Sequence, residues 1–144
     1  MDVVPHDPRD DMTKGTRRCW AHELGDCKGP LTREHVFSAS VLGEGELWRI
    51  CGLDEEPKNL PATAMTGRML CEHHNSTTSE LDTTAGIISD AIRDRKSGVI
   101  VINGWHLERW SLKTLINLYA CGWQNIKVQP PLELVEIVSA PFVL

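Results

Sequence analysis

The chain has 144 residues, of which 41% are hydrophobic and 24% are charged, and this composition is ordinary for one globular domain with a modest core. Its formal net charge of −5 argues against a nonspecific polyphosphate binder, so any nucleic-acid contact must be local or rest on a partner. An acidic start without a signal-peptide core and an odd count of five cysteines favour a reducing, cytoplasmic setting. No apolar run approaches the roughly 18 residues of a membrane-spanning helix, so no membrane partner is expected.

The N-terminal part of the chain begins without any periodic apolar pattern. Residues 1–16 carry prolines and aspartates and are predicted to form a flexible arm. Residues 17–30 are rich in turn-forming residues and predict a knuckle-like loop. Residues 31–37 predict a short strand, and the glycines and prolines of residues 38–70 predict an irregular excursion with short helical turns.

A second strand and a helix follow. Residues 68–71 predict the strand, and residues 81–92 place apolar side chains at helical spacing, with the helix ending before Ser97. The order is therefore strand, excursion, strand and helix.

The C-terminal residues 98–144 predict an α+β annex. Residues 99–102 form an apolar run typical of a buried strand, and residues 107–120 have apolar side chains at helical spacing. Residues 126–128 and 132–138 predict two more strands. The expected class is therefore α+β, with the annex packed on a core formed by residues 17–97.

Two identically spaced pairs, Cys19-x-x-His22 and Cys71-x-x-His74, predict a metal site. A tight turn can aim two such side chains at one ion, and a distant second pair completes the tetrahedral shell that zinc prefers. Within the same short loops, Cys27 could replace His22 and His73 could replace His74. The predicted ligands of this structural zinc are Cys19, His22, Cys71 and His74.

The ordered motif resembles a known family. The matching residues are Cys19-x-x-His22, then Glu34-His35-Val36, then Leu70-Cys71-Glu72-His73-His74-Asn75. In this order they resemble the His-Asn-His (HNH) endonucleases of the ββα-metal fold, in the branch that carries a structural zinc. The resemblance extends over residues 19–93 and does not include the annex.

The resemblance implies a catalytic centre beside the zinc. His35 would be the general base, Glu34 and Asn75 would hold a catalytic Mg²⁺ or Mn²⁺ ion, and Asn59 would orient His35. The side-chain chemistry agrees, because an imidazole titrates near neutral pH and Mg²⁺ prefers oxygen ligands. The implied reaction is hydrolysis of DNA phosphodiester bonds that leaves a 5′ phosphate, with RNA as an alternative substrate.

Basic residues near this motif form local patches that could follow a phosphate backbone. They are Arg17, Arg18, Lys28 and Arg33 before the excursion and Arg93, Arg95 and Lys96 at the end of the long helix.

Two other functions use the same motif. The chain could be a noncatalytic zinc module that binds nucleic acid or protein, in which Glu34 and His35 are ordinary surface groups. It could also be a nuclease subunit that acts only as a homo-oligomer or within a larger assembly. Metal-dependent turnover by the chain alone separates both from an autonomous nuclease.

Overall fold

The computed structural model describes residues 18–43, 45–51, 55–94, 98–121 and 129–141. Its strands are β1 (Leu31–His35), β2 (Leu47–Ile50), β3 (Lys58–Pro61) and β4 (Thr66–Cys71). Its helices are α1 (Ala39–Leu42), α2 (Glu72–Arg93), α3 (Gly104–Ala120) and α4 (Leu132–Ser139), with 3-10 turns at His22–Leu24 and Ala62–Ala64. The chain is thus a mixed α and β protein, as the sequence predicts.

A strand-strand-helix unit lies at the centre of the fold. Strands β1 and β4 pair antiparallel, with Leu31 opposite Cys71 and His35 opposite Thr66. Helix α2 begins directly after β4 and contacts both strands. Because a helix rises about 1.5 Å per residue and a strand about 3.3 Å, the third turn of α2 comes level with the far end of β1. Both predicted strands and the predicted helix are present.

The loop before β1 closes the N-terminus of α2. The backbone N–H of Glu72 donates to the carbonyl of Pro30 at 3.0 Å, and that of His73 donates to the carbonyl of Lys28 at 3.1 Å. These bonds satisfy donors that a helix start leaves unpaired. Gly29 has a φ of 75°, and a Cβ there would lie 2.8 Å from Cβ of Glu72, so the close approach favours glycine.

The excursion between β1 and β4 is more regular than predicted. Strands β2 and β3 form a separate antiparallel pair, with Leu47 opposite Pro61. A small core of Leu42, Ala62 and Met65 packs beneath this hairpin. The strands were not predicted because each has only four residues and partly exposed faces, which leaves a weak alternation.

The described part of the annex does not contain the strands that were predicted for it. Residues 99–102 form no strand in the described part of the annex, and Val99 and Val101 are 92% and 90% exposed. The predicted helix over residues 107–120 is present as α3, whereas residues 132–138 are helical rather than extended. In α4 the buried side chains are Val135 and Val138, which are three residues apart as a helix face requires.

The main core joins the annex to the strand-strand-helix unit. It contains residues from the first loop, β4, α2, α3 and α4, among them Trp20, Met69, Leu70, Leu81, Ile116 and Val135. The prediction for residues 126–128 and the flexible arm over residues 1–16 lie outside the described residues. Among the helices that the structure describes, none combines the length and apolar character needed to cross a membrane.

Candidate functional site

Three thiols and one imidazole converge at the start of α2. Cys19 and Cys27 come from the loop before β1, Cys71 ends β4, and His74 lies in the first turn of α2. Nδ1 of His74 lies 3.4 Å, 3.6 Å and 3.2 Å from the Sγ atoms of Cys19, Cys27 and Cys71. Ligands of a tetrahedral zinc ion are about 3.6 Å apart, given Zn–S and Zn–N bonds of about 2.3 and 2.0 Å. The donor set therefore fits a structural zinc ion.

The ligand set differs from the primary prediction at one position, where Cys27 replaces His22. The 3-10 turn at His22–Leu24 places Nδ1 of His22 3.0 Å from the carbonyl oxygen of Cys19, so this imidazole contacts the backbone of its own loop. Gly25, with a φ of 79°, ends the turn and precedes the segment that reaches Cys27. The sequence carried this signal as an alternative, because Cys27 lies within the same loop.

Burial opposes ionisation of the three thiols. Burial raises the pKa of Cys19, and burial together with Cys19 raises the pKa of Cys27 to about 12. Burial opposes ionisation of Cys71 as well, but hydrogen bonds from the backbone N–H groups of His74 and Lys28 hold its pKa below the ordinary value. Only a bound cation would allow all three thiols to become thiolates, and zinc binding would therefore release protons.

Asp26 orients the imidazole of this cluster. Its Oδ1 lies 2.9 Å from Nε2 of His74, and Oδ2 lies 3.5 Å from Nε2 of His73. Desolvation raises the pKa of Asp26, but the hydrogen bond and charge of His74 outweigh it and lower the pKa overall. With Nε2 donating to Asp26, Nδ1 of His74 is left to bind a metal, an arrangement common around zinc. His73 thus contacts Asp26 and does not replace His74.

Glu34 and His35 lie at the end of β1 in different environments. Glu34 is buried, with 8% of its surface exposed, whereas His35 is half-buried. Burial raises the pKa of Glu34, with Lys113 opposing the shift. Burial lowers the pKa of His35, Asp82 opposes this, and Arg33 reinforces it. His35 is therefore biased toward the neutral form that can accept a proton.

The carboxylate of Glu34 has a cationic partner from the annex. Nζ of Lys113 lies 3.5 Å from Oε1 of Glu34 and 2.6 Å from Oδ2 of Asp82. The Lys113 side chain is 1% exposed, so its charge has almost no contact with water. Asp82 was not predicted as a site residue, although its position on α2, seven residues after Asn75, repeats the two-turn helical spacing.

The two asparagines predicted for the catalytic site do not join this group. Nδ2 of Asn75 donates to Oγ1 of Thr32 at 3.0 Å, which ties α2 to β1. Asn59 is exposed on β3 and pairs across the second hairpin with Arg49. Because β3 belongs to a different sheet from β1, the described contacts give Asn59 no role in orienting His35.

The resemblance implies a catalytic divalent ion held by Glu34 and Asn75. Carboxylate and amide oxygens are suitable ligands for Mg²⁺ or Mn²⁺. The ammonium group of Lys113 contacts Oε1 of Glu34, and its positive charge opposes binding of a divalent ion to that carboxylate. The bond from Asn75 to Thr32 uses the amide nitrogen and not the amide oxygen that an ion would need.

The predicted basic patches are only partly available to a phosphate. Arg18, Lys28 and Arg33 are exposed, and Arg33 pairs across the sheet with Arg68, which is exposed as well. Arg93 instead donates to the carbonyl of Leu42 at 3.1 Å and stacks over Trp48, so it joins α2 to the excursion. The other predicted basic residues, Arg17, Arg95 and Lys96, lie outside the described residues.

Comparison with protein-family models, with curated proteins and with solved structures finds no match to this chain.

Proposed function

We propose that the chain is a zinc-stapled phosphodiesterase of the HNH endonuclease type that acts on DNA. The supporting observation is the position of Glu34-His35 at the end of β1, in a strand-strand-helix unit whose helix starts at the Cys/His cluster. In this proposal the zinc ion fixes the first loop, β4 and α2 relative to one another. The cluster is structural, because all four of its ligand positions come from the protein.

His35 is the proposed general base. Its lowered pKa keeps the imidazole neutral near neutral pH, so it can take a proton from the attacking water. Nδ2 of Asn117 donates to the backbone carbonyl of His35 at 3.3 Å and steadies this end of β1. Arg33, two residues earlier on the same strand, is exposed and can contact the phosphate. The water oxygen bonds to phosphorus, the bond from phosphorus to the 3′ oxygen breaks, and the 3′ oxygen takes a proton from solvent, which leaves the proposed 5′ phosphate.

Plasmid cleavage tests this proposal. Zinc-loaded protein is incubated with supercoiled plasmid in a large excess of Mg²⁺ or Mn²⁺, with a chelator control, and nicked and linear products are measured. We expect metal-dependent cleavage that falls by about 100-fold or more in His35→Ala, because a general base contributes about that factor. The matched control is His106→Ala, which removes an imidazole from α3 and should cut like the parent. Equal rates for His35→Ala and the parent would refute the assignment.

A second candidate function is a noncatalytic zinc module for nucleic acid or protein. The contact of Lys113 with Glu34 favours it, because that contact occupies the carboxylate that the implied ion would need. The net charge of −5 also favours a module whose partner provides the basic residues that bind DNA phosphates. Binding of DNA or RNA fragments without cleavage in any divalent ion would support this candidate over the first.

A further inference from the structure

One face of α3 joins the annex to the end of β1 through polar side chains. Trp110, Lys113 and Asn117 are three and four residues apart, so they lie on the same side of the helix. Nε1 of Trp110 donates to Oγ of Ser38 at 2.7 Å, and Asn117 donates to the carbonyl of His35. Lys113 lies between these two contacts. Its position is therefore fixed by anchors on both sides.

The contacts of Lys113 are those of a cation placed between two carboxylates. Its ammonium lies 2.6 Å from Asp82 and 3.5 Å from Glu34, and Asp82 also accepts a hydrogen bond from Ser38. An ammonium that is 1% exposed would be costly without such partners, and a buried Glu34 would be costly without a cation. The ammonium from α3 therefore stabilises the two carboxylates from β1 and α2.

We propose that Lys113 is the built-in cation of the Glu34 site, which consists of Glu34, Asp82 and Lys113, and that it competes with a divalent ion for the carboxylate of Glu34. The regulatory meaning of this proposal rests on the proposed function, since only an enzyme would be held inactive by it. The charge argument does not depend on catalysis. A divalent ion and the ammonium are both attracted to the carboxylate of Glu34 and repel each other, so each weakens the interaction of the other with that carboxylate.

Manganese binding to the zinc-loaded full chain directly tests the competition between Lys113 and a divalent ion for Glu34. Bound Mn²⁺ is measured by electron paramagnetic resonance in the parent, in Lys113→Met and in Lys113→Met/Glu34→Gln. We expect Lys113→Met to bind Mn²⁺ more tightly than the parent by on the order of tenfold or more, and the double variant to lose the gain. Lys58→Met, which removes a lysine from β3, is the matched control and should behave like the parent. An unchanged affinity in Lys113→Met, or a gain that survives Glu34→Gln, would overturn the proposal.

The proposal can still be tested if Lys113→Met folds poorly, because the melting temperature then provides the measurement. Without the ammonium, Glu34 is left buried without its partner, so Mn²⁺ should raise the melting temperature of this variant and leave that of the parent unchanged. The Glu34→Gln change should restore the melting temperature without any ion. If neither Mn²⁺ nor Glu34→Gln restores the fold, the charge of Lys113 is not what the site requires and the proposal fails.

Cleavage assays on the same variants separate this proposal from the proposed function. If Lys113→Met gains the Mn²⁺ site but no variant cuts DNA, the built-in cation stands and the nuclease proposal fails. If the parent cuts with the same Mn²⁺ dependence as Lys113→Met, the nuclease proposal stands and the built-in cation fails. Both stand if Lys113→Met reaches half-maximal cleavage at a lower Mn²⁺ concentration, by on the order of tenfold, and His35→Ala abolishes it.

Discussion

The Cys/His cluster and the Glu34 site both gather ionisable groups from separate elements, but their charges are balanced differently. At the cluster, Cys19, Cys27 and Cys71 lie together with a single imidazole, and the described residues provide no cation that would allow the three thiols to ionise together. At the other site, Lys113 already contacts both carboxylates. Convergent donors therefore indicate a metal site only when the chain leaves their charge uncompensated.

Loss of a thiol from the cluster should have the largest effect. Cys71→Ala should lose zinc and cooperative thermal unfolding, because a structural zinc ion can contribute about 10 kcal/mol or more in small modules. Zinc content and circular dichroism measure the two effects. Cys51→Ala is the matched control, because Cys51 is exposed and lies outside the cluster. A stable, zinc-free Cys71→Ala protein would contradict the assigned role of the cluster.

The replacement of His22 by Cys27 gives a sharper version of the same test. Cys27→Ala should lose zinc as Cys71→Ala does, whereas His22→Ala should retain it, because His22 contacts the carbonyl of Cys19 and not the cluster. Zinc retained after gel filtration in chelator is the measurement. Zinc loss in His22→Ala with retention in Cys27→Ala would reverse the ligand assignment.

Substitutions in the Glu34 site should have the next largest effect on stability. Lys113→Met should lower the free energy of unfolding by about 3–5 kcal/mol, since removal of one partner leaves a buried charge unpaired. Adding Glu34→Gln should recover most of that loss, because the remaining groups no longer include a buried carboxylate without a cation. Urea unfolding of both variants and of the parent measures the difference. Additive losses in the double variant would show that the two side chains do not interact.

Substitution of Asp26 should have a smaller effect, which is limited to the affinity for zinc. Asp26→Asn should weaken zinc binding by about 10- to 100-fold, because the carboxylate no longer fixes the orientation of His74. Competition with a zinc chelator measures the affinity. The exposed carboxylate of Glu56 provides a control in Glu56→Gln. An unchanged affinity in Asp26→Asn would mean that packing alone orients the imidazole.

The smallest expected effect concerns pH. Under the proposed function, the acid limb of the cleavage rate should have its midpoint below the ordinary pKa of histidine, because burial disfavours the imidazolium form of His35. Protonation as the pH falls through this lowered pKa removes the base. Arg33→Gln should move the midpoint upward, because Arg33 lowers the pKa of His35. A midpoint that does not move, measured at low salt, would exclude a direct charge effect of Arg33 on His35.

The features that could be predicted from the sequence depend on the spacing of residues close together along the chain. The pairs around Cys19 and Cys71 predicted a metal cluster, and the apolar spacing of residues 81–92 and 107–120 predicted helices that are present. For residues 132–138 an apolar run suggested a strand, but the segment is a helix that buries Val135 and Val138, three residues apart.

The pairing of the Glu34 site could not be predicted from the same signals. Lys113 lies 31 residues from Asp82 along the chain, and its interior position depends on how α3 packs on α2. On its own, a lysine in an amphipathic helix predicts a solvated side chain. For Asn59, the family resemblance implied a role in orienting His35, but β3 pairs with β2 in a separate sheet and the described contacts do not join Asn59 to His35.

The metal content of the purified parent chain tests the central contrast most directly. The protein is dialysed against Zn²⁺ and Mn²⁺ together, freed of loosely bound ions, and analysed by inductively coupled plasma mass spectrometry. A single zinc ion per chain with no retained manganese is the predicted result, because the cluster lacks a cation and the Glu34 site contains Lys113. A chain without zinc, or one that retains manganese in a stoichiometric amount lost on Glu34→Gln, would contradict this account.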